Sequence, residues 1–257
     1  MCEQLPAHLR IKVVDLMPPS ALVTDDRPSS LEPAIASHVT PVDGTDSLFE
    51  RVSWLYAFCR EHLFRDDTAR IISSLWPKGV PPRGTRMIEL GCGPGLYSRN
   101  LARRFPQTVV LGVDRSESQL RAARQRAATQ KVTNCMFQRV NALALPFPDG
   151  SFDVLIASRI LTILPDHERA IAEMFRVLSP GGRCFIAEPR YAFWASIPLT
   201  SMWLLASVIH SGNGYREPKK ATVLERNEFA KLFRQQPWKS VRSWQDGRYQ
   251  YALCEKG

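Results

Sequence analysis

The sequence predicts an α/β fold, a doubly wound and mainly parallel sheet that ends in an antiparallel hairpin. Two observations support this prediction. Strand-like and helix-like segments alternate between residues 85 and 189, and a helix-like segment followed by two strand-like segments forms the C-terminal part. Parallel strands need crossover connections, and helices in these connections cover both faces of the sheet. Ligands of such sheets bind at the carboxyl ends of the strands.

The individual elements follow from the period of the apolar residues. Strands are predicted at 85–90, 108–113, 135–139, 152–158 and 182–188, and helices near 96–105, 116–129 and 167–178. The C-terminal hairpin is predicted to turn at Asp246 and Gly247, because this dipeptide favours tight turns.

The chain divides into an extension and one domain. Residues 1–47 are rich in proline, which removes backbone donors and fixes the backbone too often for a long helix. Residues 48–257 are predicted to form a single domain, which is the natural count for a chain of 257 residues. Its first part, 48–76, has apolar residues at helical spacing and is predicted to be helical.

Composition limits the classes of function. The net charge of +9 is compatible with binding to phosphates, nucleic acid or an anionic membrane, but Lys and Arg form no dense block, which favours solvated helix faces. The six cysteines are dispersed without a CxxC pair, so we predict neither a metal site nor a disulfide framework. No apolar run reaches the length of a signal peptide or a membrane span, and a cytoplasmic protein is expected.

A glycine-rich loop follows the first predicted strand of the sheet. The segment MIELGCGPGLYS places Gly91, Gly93 and Gly95 between a strand and a helix, where bare backbone can approach a ligand and helix-start amides point outward. The spacing is GxGxG, because Leu96 stands where the GxGxxG fingerprint of dinucleotide sites continues. The next strand ends at Asp114, whose carboxylate can accept hydrogen bonds from ribose hydroxyls. A dinucleotide and an adenosyl ligand both satisfy this pattern.

Two further segments, NALALPFPDGSFDVLIAS and FRVLSPGGRCFIAEP, complete a family resemblance. The chain resembles class I S-adenosylmethionine methyltransferases, in particular the small-molecule branch similar to the ubiquinone and menaquinone C-methyltransferases, most strongly over residues 85–190. The resemblance implies a Rossmann-like fold, S-adenosylmethionine as methyl donor and S-adenosylhomocysteine as product. It also implies a C-, O- or N-methylated small-molecule acceptor of hydrophobic and, in one interpretation, anionic character.

The same resemblance assigns residues to the cofactor. They are Glu89, Gly91, Cys92, Gly93, Gly95, Asp114, Arg115, Asn141, Ala142 and Ser158. Glu89 would lie near the methionine ammonium, Asp114 would bind the ribose, and Arg115 would flank the adenine. The family usually has Asp where this chain has Asn141, whose side-chain carbonyl can still accept from the adenine amino group.

Three residues are candidates for catalysis. Arg159, near the methyl-donating sulfonium in the resemblance, could hold a carboxylate or phosphate of the acceptor, or form a structural salt bridge. Glu188, at the end of the strand IAEP, could act as a base or orient the acceptor, or cap and pair within the fold. His210 could accept a proton, or pack as an ordinary histidine. The LSPGG segment is predicted to be a structural turn.

The acceptor is not specified by any motif. Residues 190–220 are rich in apolar and aromatic side chains and, by the resemblance, form a substrate cover, with residues 48–76 as a second helical lid. Plain helix packing or a homodimer contact explains the same composition.

Three alternatives to this function stay open at the level of sequence. An RNA methyltransferase would explain the positive charge, although no RNA-binding appendage is recognisable, which argues against a nucleic acid partner. Arsenic methylation would need gathered thiolates, and only Cys59, Cys92 and Cys184 could approach a cleft. A non-catalytic binding protein with this fold is disfavoured by the intact loop and Asp114.

Overall fold

The computed structural model describes residues 66–191 and 223–257. In this part of the chain, seven strands form one sheet in the order β3-β2-β1-β4-β5-β7-β6. The strands are β1 Arg86–Leu90, β2 Val109–Asp114, β3 Cys135–Arg139, β4 Phe152–Ser158, β5 Leu178–Pro189, β6 Trp238–Asp246 and β7 Tyr249–Lys256. The helices are α1 Thr68–Leu75, α2 Leu96–Arg104, α3 Glu117–Thr129, α4 His167–Val177 and α5 Arg226–Leu232, with short 3-10 turns at Leu161–Ile163 and Phe233–Gln235.

The predicted fold class is confirmed. Strands β1 to β5 pair in parallel, and β7 runs antiparallel to both of its neighbours. The predicted extension 1–47, most of the two predicted lids and His210 lie outside the described residues, and α1 is the described part of the first lid segment. No helix in the described ranges is long and apolar enough to cross a membrane.

The sheet is buried on both faces because its central strands are apolar at nearly every position. Neighbours in β1 belong to opposite layers: Met87 packs with α1 and α2, whereas Ile88 packs in the layer that contains α4 and α5. Each fully buried large side chain of this kind contributes roughly 1.5–3 kcal/mol to the free energy of unfolding. This packing fixes the sheet and therefore the edge at which the strands end.

The LSPGG segment differs from its prediction as a turn before the fifth strand. Strand β5 begins earlier, at Leu178, because this residue already pairs with Phe152. The next pair joins Val154 to Arg183, so a step of two residues in β4 faces a step of five in β5. The turn is therefore retained as a bulge inside the strand, with Gly181 in the left-handed region at φ +74°.

Candidate active site

The loop after β1 is built from glycines in left-handed backbone conformations. Gly91, Gly93 and Gly95 have φ values of 67°, 51° and 74°. A Cβ atom at Gly91 would lie 2.9 Å from Cδ1 of Ile160, and one at Gly95 would lie 2.5 Å from the ring of Phe137. Backbone conformation at all three positions, and space at Gly91 and Gly95, thus disfavour side chains. The loop is also held from within, because the Cys92 and Gly95 nitrogens donate to the carbonyls of Val113 and Cys92.

Glu89 links strand β1 to the first turn of α2, on the two sides of this loop. Its buried carboxylate accepts a hydrogen bond from the backbone nitrogen of Ser98 at 2.7 Å and another from the Ser98 hydroxyl. Ser98 lies in the first turn of α2, where a negative charge is favourable. The predicted contact of Glu89 with the methionine ammonium stays a prediction.

Asp114 joins the loop to the end of β2. Its Oδ2 accepts from the Gly93 backbone nitrogen at 2.8 Å, and its Oδ1 accepts from that of Ser116 at 2.9 Å. Burial raises the pKa of Asp114, and these backbone donors oppose the rise. Each carboxylate oxygen has a second acceptor site, so both remain chemically able to bind ribose hydroxyls.

The residues assigned to the adenine lie beyond the ends of β2 and β3. Arg115 is exposed, and its carbonyl accepts from Nε of Arg139 at 3.0 Å. The exposed Asn141 side chain accepts through Oδ1 from the Leu143 nitrogen at 3.1 Å, and Ala142 is buried. The sheet thus brings these residues to the same edge as Asp114, as predicted from parallel topology.

Two of the three cysteines considered for arsenic methylation are described, and they are buried in different places. Cys92 lies within the glycine loop, and burial raises the pKa of its thiol well above the ordinary value, so the thiol is uncharged. Cys184 lies in the sheet core directly opposite Cys254. Cys59 is outside the described residues.

Ser158 and Arg159 end strand β4 beside the loop. The Ser158 hydroxyl is buried and has no hydrogen-bond partner among the described residues. Arg159 has a left-handed backbone at φ 58°. Its Nη1 donates to the hydroxyl of Tyr249 at 3.2 Å, and its Nη2 donates to that of Tyr97 at 3.3 Å.

Glu188 is almost fully buried at the end of β5, with 1% of its surface exposed. Its Oε1 accepts from the backbone nitrogens of Ile160 and Leu161, both at 2.9 Å, whereas Oε2 has no partner in the described part of the chain. Burial raises the pKa of Glu188 to about 7, against the backbone donors and the charge of Arg159. These contacts are those of a cap, one of the roles left open; the role as a base stays a prediction.

The topology therefore gathers most of the predicted residues at one edge. The glycine loop, Asp114, Ser158, Arg159 and Glu188 follow or end four strands of the sheet, and Ile160 packs on the loop. Sequence reasoning missed Tyr97 and Tyr249, which contact Arg159. Tyr97 stands within the quoted loop segment GLYS, but no pattern links the hairpin residue Tyr249 to β4.

The family of this chain is established by its similarity to known proteins. A model of the methyltransferase domain matches residues 82–245. The chain belongs to the methyltransferase domain family. This confirms the family predicted from the resemblance.

Two curated relatives show how far the likeness in sequence extends. Trans-aconitate 2-methyltransferase of Variovorax paradoxus is 33% identical over 126 residues, 49% of this chain and 47% of that protein. Demethylmenaquinone methyltransferase of Lactococcus lactis is 32% identical over 141 residues, 54% of this chain and 53% of that protein. The chain spans about half the length of the curated relatives it matches.

Solved structures with a similar fold cover a larger share of this chain than the curated relatives do. Phosphoethanolamine N-methyltransferase 2 of Haemonchus contortus, in complex with S-adenosyl-L-methionine, has a TM-score of 0.64 at 14% identity, covering 84% of this chain and 60% of that chain. The [4+2]-cyclase SpnF has a TM-score of 0.61 at 18% identity, covering 82% and 94%. At these identities the likeness shows the fold alone, the class I methyltransferase fold that was predicted.

Proposed function

We propose that this chain binds S-adenosylmethionine at the carboxyl edge of β1 and β2 and transfers its methyl group to a small-molecule acceptor. The observation that supports this most directly is the bond from the Gly93 nitrogen to Asp114, which joins a left-handed glycine loop to a carboxylate at the next strand end. The match of residues 82–245 to the methyltransferase domain supports it independently.

The residues at this edge fit an adenosyl cofactor. Gly91 and Gly95 lack the Cβ atoms that would fill the loop, and the Ser158 hydroxyl is a buried polar group in need of a partner. Asp114 would hold the ribose, and Arg115 and Asn141 would lie at the adenine. S-adenosylhomocysteine, the product, would occupy the same place.

The chemistry demands positioning more than proton transfer. When bound, S-adenosylmethionine supplies a methyl group that is activated for in-line displacement. The protein must align the acceptor with that methyl group and exclude water. The loop, fixed by Glu89 and Asp114, would orient the donor, while Arg159 and Glu188 shape the backbone on the acceptor side.

The proposed acceptor is a small molecule of hydrophobic character. Two relatives are named for quite different acceptors, trans-aconitate and demethylmenaquinone, so likeness to them does not choose between an acid and an apolar ring. The apolar composition of residues 190–220 supports a hydrophobic cover.

Calorimetric titration tests the cofactor part of the proposal. S-adenosylmethionine and S-adenosylhomocysteine are titrated into the protein at two salt concentrations, with NAD as the control. We expect micromolar binding of the two adenosyl ligands and none of NAD. Absence of binding, or equal binding of NAD, would contradict the proposal.

A release assay for S-adenosylhomocysteine then tests methyl transfer over a panel of hydrophobic acceptors. Turnover of one acceptor class is expected. Binding without turnover of any acceptor would favour a non-catalytic role, which is a real alternative because one solved structure of this fold is named a cyclase. Binding of RNA that weakens steeply with salt would favour the nucleic acid alternative.

A further inference from the structure

Arg159 has an unusual backbone conformation for a residue with a side chain. It is one of two non-glycine residues with positive φ in the described ranges, the other being Lys131. Such conformations are unfavourable and persist where the surroundings enforce them, often at functional sites. An observed outlier of this kind justifies asking what the side chain is placed to do.

Three backbone hydrogen bonds enforce the conformation. The Arg159 nitrogen donates to the carbonyl of Ala187 at 2.8 Å. The next two nitrogens, of Ile160 and Leu161, both donate to Oε1 of Glu188. Strand β5 therefore holds the residue on both sides of its strained position, and Glu188 acts as its positioning residue.

Two tyrosines then orient the guanidinium. Its two terminal nitrogens donate to the hydroxyls of Tyr249 and Tyr97, which come from the C-terminal hairpin and the start of α2. The centre of the guanidinium lies 5.9 Å from the centroid of the Tyr249 ring. These two contacts fix the direction of the guanidinium, whose charge also acts on the nearby carboxylate of Glu188.

The oriented group lies beside the loop that would bind the cofactor. The side chain of Ile160, the residue after Arg159, would meet a Cβ at Gly91 at 2.9 Å. Tyr97 is the second residue of α2, the helix that the same loop begins. An acceptor held by Arg159 would thus be adjacent to the donor.

We propose that Arg159, oriented by Tyr97 and Tyr249, binds a carboxylate of the methyl acceptor. The acceptor would then be a small organic acid. Guanidinium groups bind carboxylates by paired, charge-assisted hydrogen bonds. A hydroxyl that accepts from arginine can also donate to the acid. The inference rests on the proposed function and names its substrate class.

The test compares acids with matched neutral esters. Trans-aconitate, cinnamate and 4-hydroxybenzoate are each assayed beside the fully esterified form, by release of S-adenosylhomocysteine. The variants are Arg159→Gln, which removes the charge, and Arg159→Lys, which keeps it but loses the planar fork. Arg104→Gln is the matched control, because Arg104 is the last residue of α2, at the end away from the glycine loop, and its guanidinium lies over the ring of Phe105.

We expect the wild type to turn over at least one acid and not its ester. Arg159→Gln should lower kcat/KM for the acid by roughly 10- to 100-fold, the effect of one charge-assisted contact, with Arg159→Lys in between. Affinity for S-adenosylhomocysteine, measured calorimetrically on each variant, should change by less than about twofold, since the cofactor is not the ligand of this group. Arg104→Gln should behave as the wild type.

Other outcomes separate this inference from the proposed function. Equal turnover of esters, no turnover of any acid by a protein that binds the cofactor, or an unchanged kcat/KM in Arg159→Gln would overturn the acid site alone. Loss of cofactor affinity in Arg159→Gln would overturn it as well, because the residue would then serve the fold or the donor. A wild type that binds no adenosyl ligand would contradict the proposed function itself.

Discussion

The two halves of the candidate site are built in different ways. On the proposed donor side, the contacts join residues close in sequence: Glu89 to Ser98, nine positions apart, and Asp114 to Gly93, 21 positions apart. On the proposed acceptor side, Arg159 contacts residues 62 and 90 positions away, and Glu188 contacts a backbone nitrogen 28 positions away. One half is a local loop between neighbouring strands, and the other is assembled by the completed sheet.

The halves also differ in the groups they present. The donor side consists mainly of a glycine loop held by backbone hydrogen bonds, and a substitution there disturbs the loop itself. The acceptor side uses long side chains that can be exchanged singly. We expect most substitutions in the glycine loop to weaken cofactor binding, whereas single substitutions on the acceptor side can change which acceptor is bound. One fold can support many chemistries in this way.

The largest effect is expected at the glycine loop. Gly95→Val places a branched side chain at φ +74°, with its Cβ 2.5 Å from the ring of Phe137. Backbone strain costs about 1–2 kcal/mol and overpacking about 1–3 kcal/mol, so calorimetry should detect no binding of S-adenosylhomocysteine.

Two glycines separate the causes of that effect. Gly181→Ala has the same φ of +74° with nothing within 4 Å of the added Cβ, and Gly79→Ala has neither strain nor crowding. The first should lower the free energy of unfolding by about 1–2 kcal/mol and leave cofactor affinity intact, and the second should change neither. A Gly95→Val protein with normal affinity for S-adenosylhomocysteine would show that the loop tolerates a side chain at this position and would contradict the expectation.

Glu188 should make stability depend on pH. The pKa of about 7 in the folded protein exceeds the ordinary value of 4.5, so the folded state binds this proton more tightly. The stability it contributes is complete below pH 4.5 and is lost as pH rises through about 7. The gap corresponds to about 3 kcal/mol.

Glu188→Gln checks this, because the amide oxygen can still accept from Ile160 and Leu161. Both proteins are unfolded with urea at pH 5, 6, 7 and 8. As pH rises, the free energy of unfolding of the variant should increase relative to that of the wild type by up to about 3 kcal/mol. Parallel curves would mean that the carboxylate is not held in a buried environment.

Asp114→Ala should weaken cofactor binding by an intermediate amount. The variant loses the acceptor of the Gly93 and Ser116 nitrogens and the proposed ribose contact, worth about 1.5–3 kcal/mol for hydrogen bonds to a charged group. Titration with S-adenosylhomocysteine measures it. Asp149→Ala, whose side chain is 79% exposed in a surface pair with Arg176, is the control and should leave affinity unchanged. Equal affinities for all three proteins would count against the ribose assignment.

The smallest effect is expected at Tyr249. Tyr249→Phe removes one neutral hydrogen bond to Arg159 and keeps the ring, so the free energy of unfolding should fall by about 0.5–1.5 kcal/mol. Tyr191→Phe is the matched control, because that ring also lies against an arginine, Arg190, and is 49% exposed. If the free energy of unfolding fell as much in the control as in the variant, the hydrogen bond from Arg159 to Tyr249 would make no net contribution to stability.

The same contrast explains what could be predicted from the sequence. The fold and the donor side follow from local patterns: apolar period gives the strands, and GxGxG followed by Asp114 places a loop and a carboxylate at adjacent strand ends. The bounds of β1 and β2 differed from prediction by one residue, and the LSPGG bulge was placed as a turn because pairing with Phe152 is invisible to local reasoning.

The acceptor side could not be derived in this way. Arg159 and Glu188 were identified as candidates, but their partners were not, since Tyr249 meets Arg159 only when the hairpin docks on β5. The left-handed conformation at Arg159 also has no sequence signature, because it is imposed by hydrogen bonds from another strand.

The position of β7 has a consequence for how the chain is assembled. This strand is the last of the described residues, yet it lies between β5 and β6 and not at an edge of the sheet. Until the hairpin has been synthesised and docked, β5 presents an unpaired row of backbone groups, and such edges invite pairing between chains. A chain shortened before Trp238 would keep the whole glycine loop and leave Arg183–Pro189 of β5 without its partner strand. We therefore expect yield and aggregation during expression to depend on the hairpin, independently of cofactor binding.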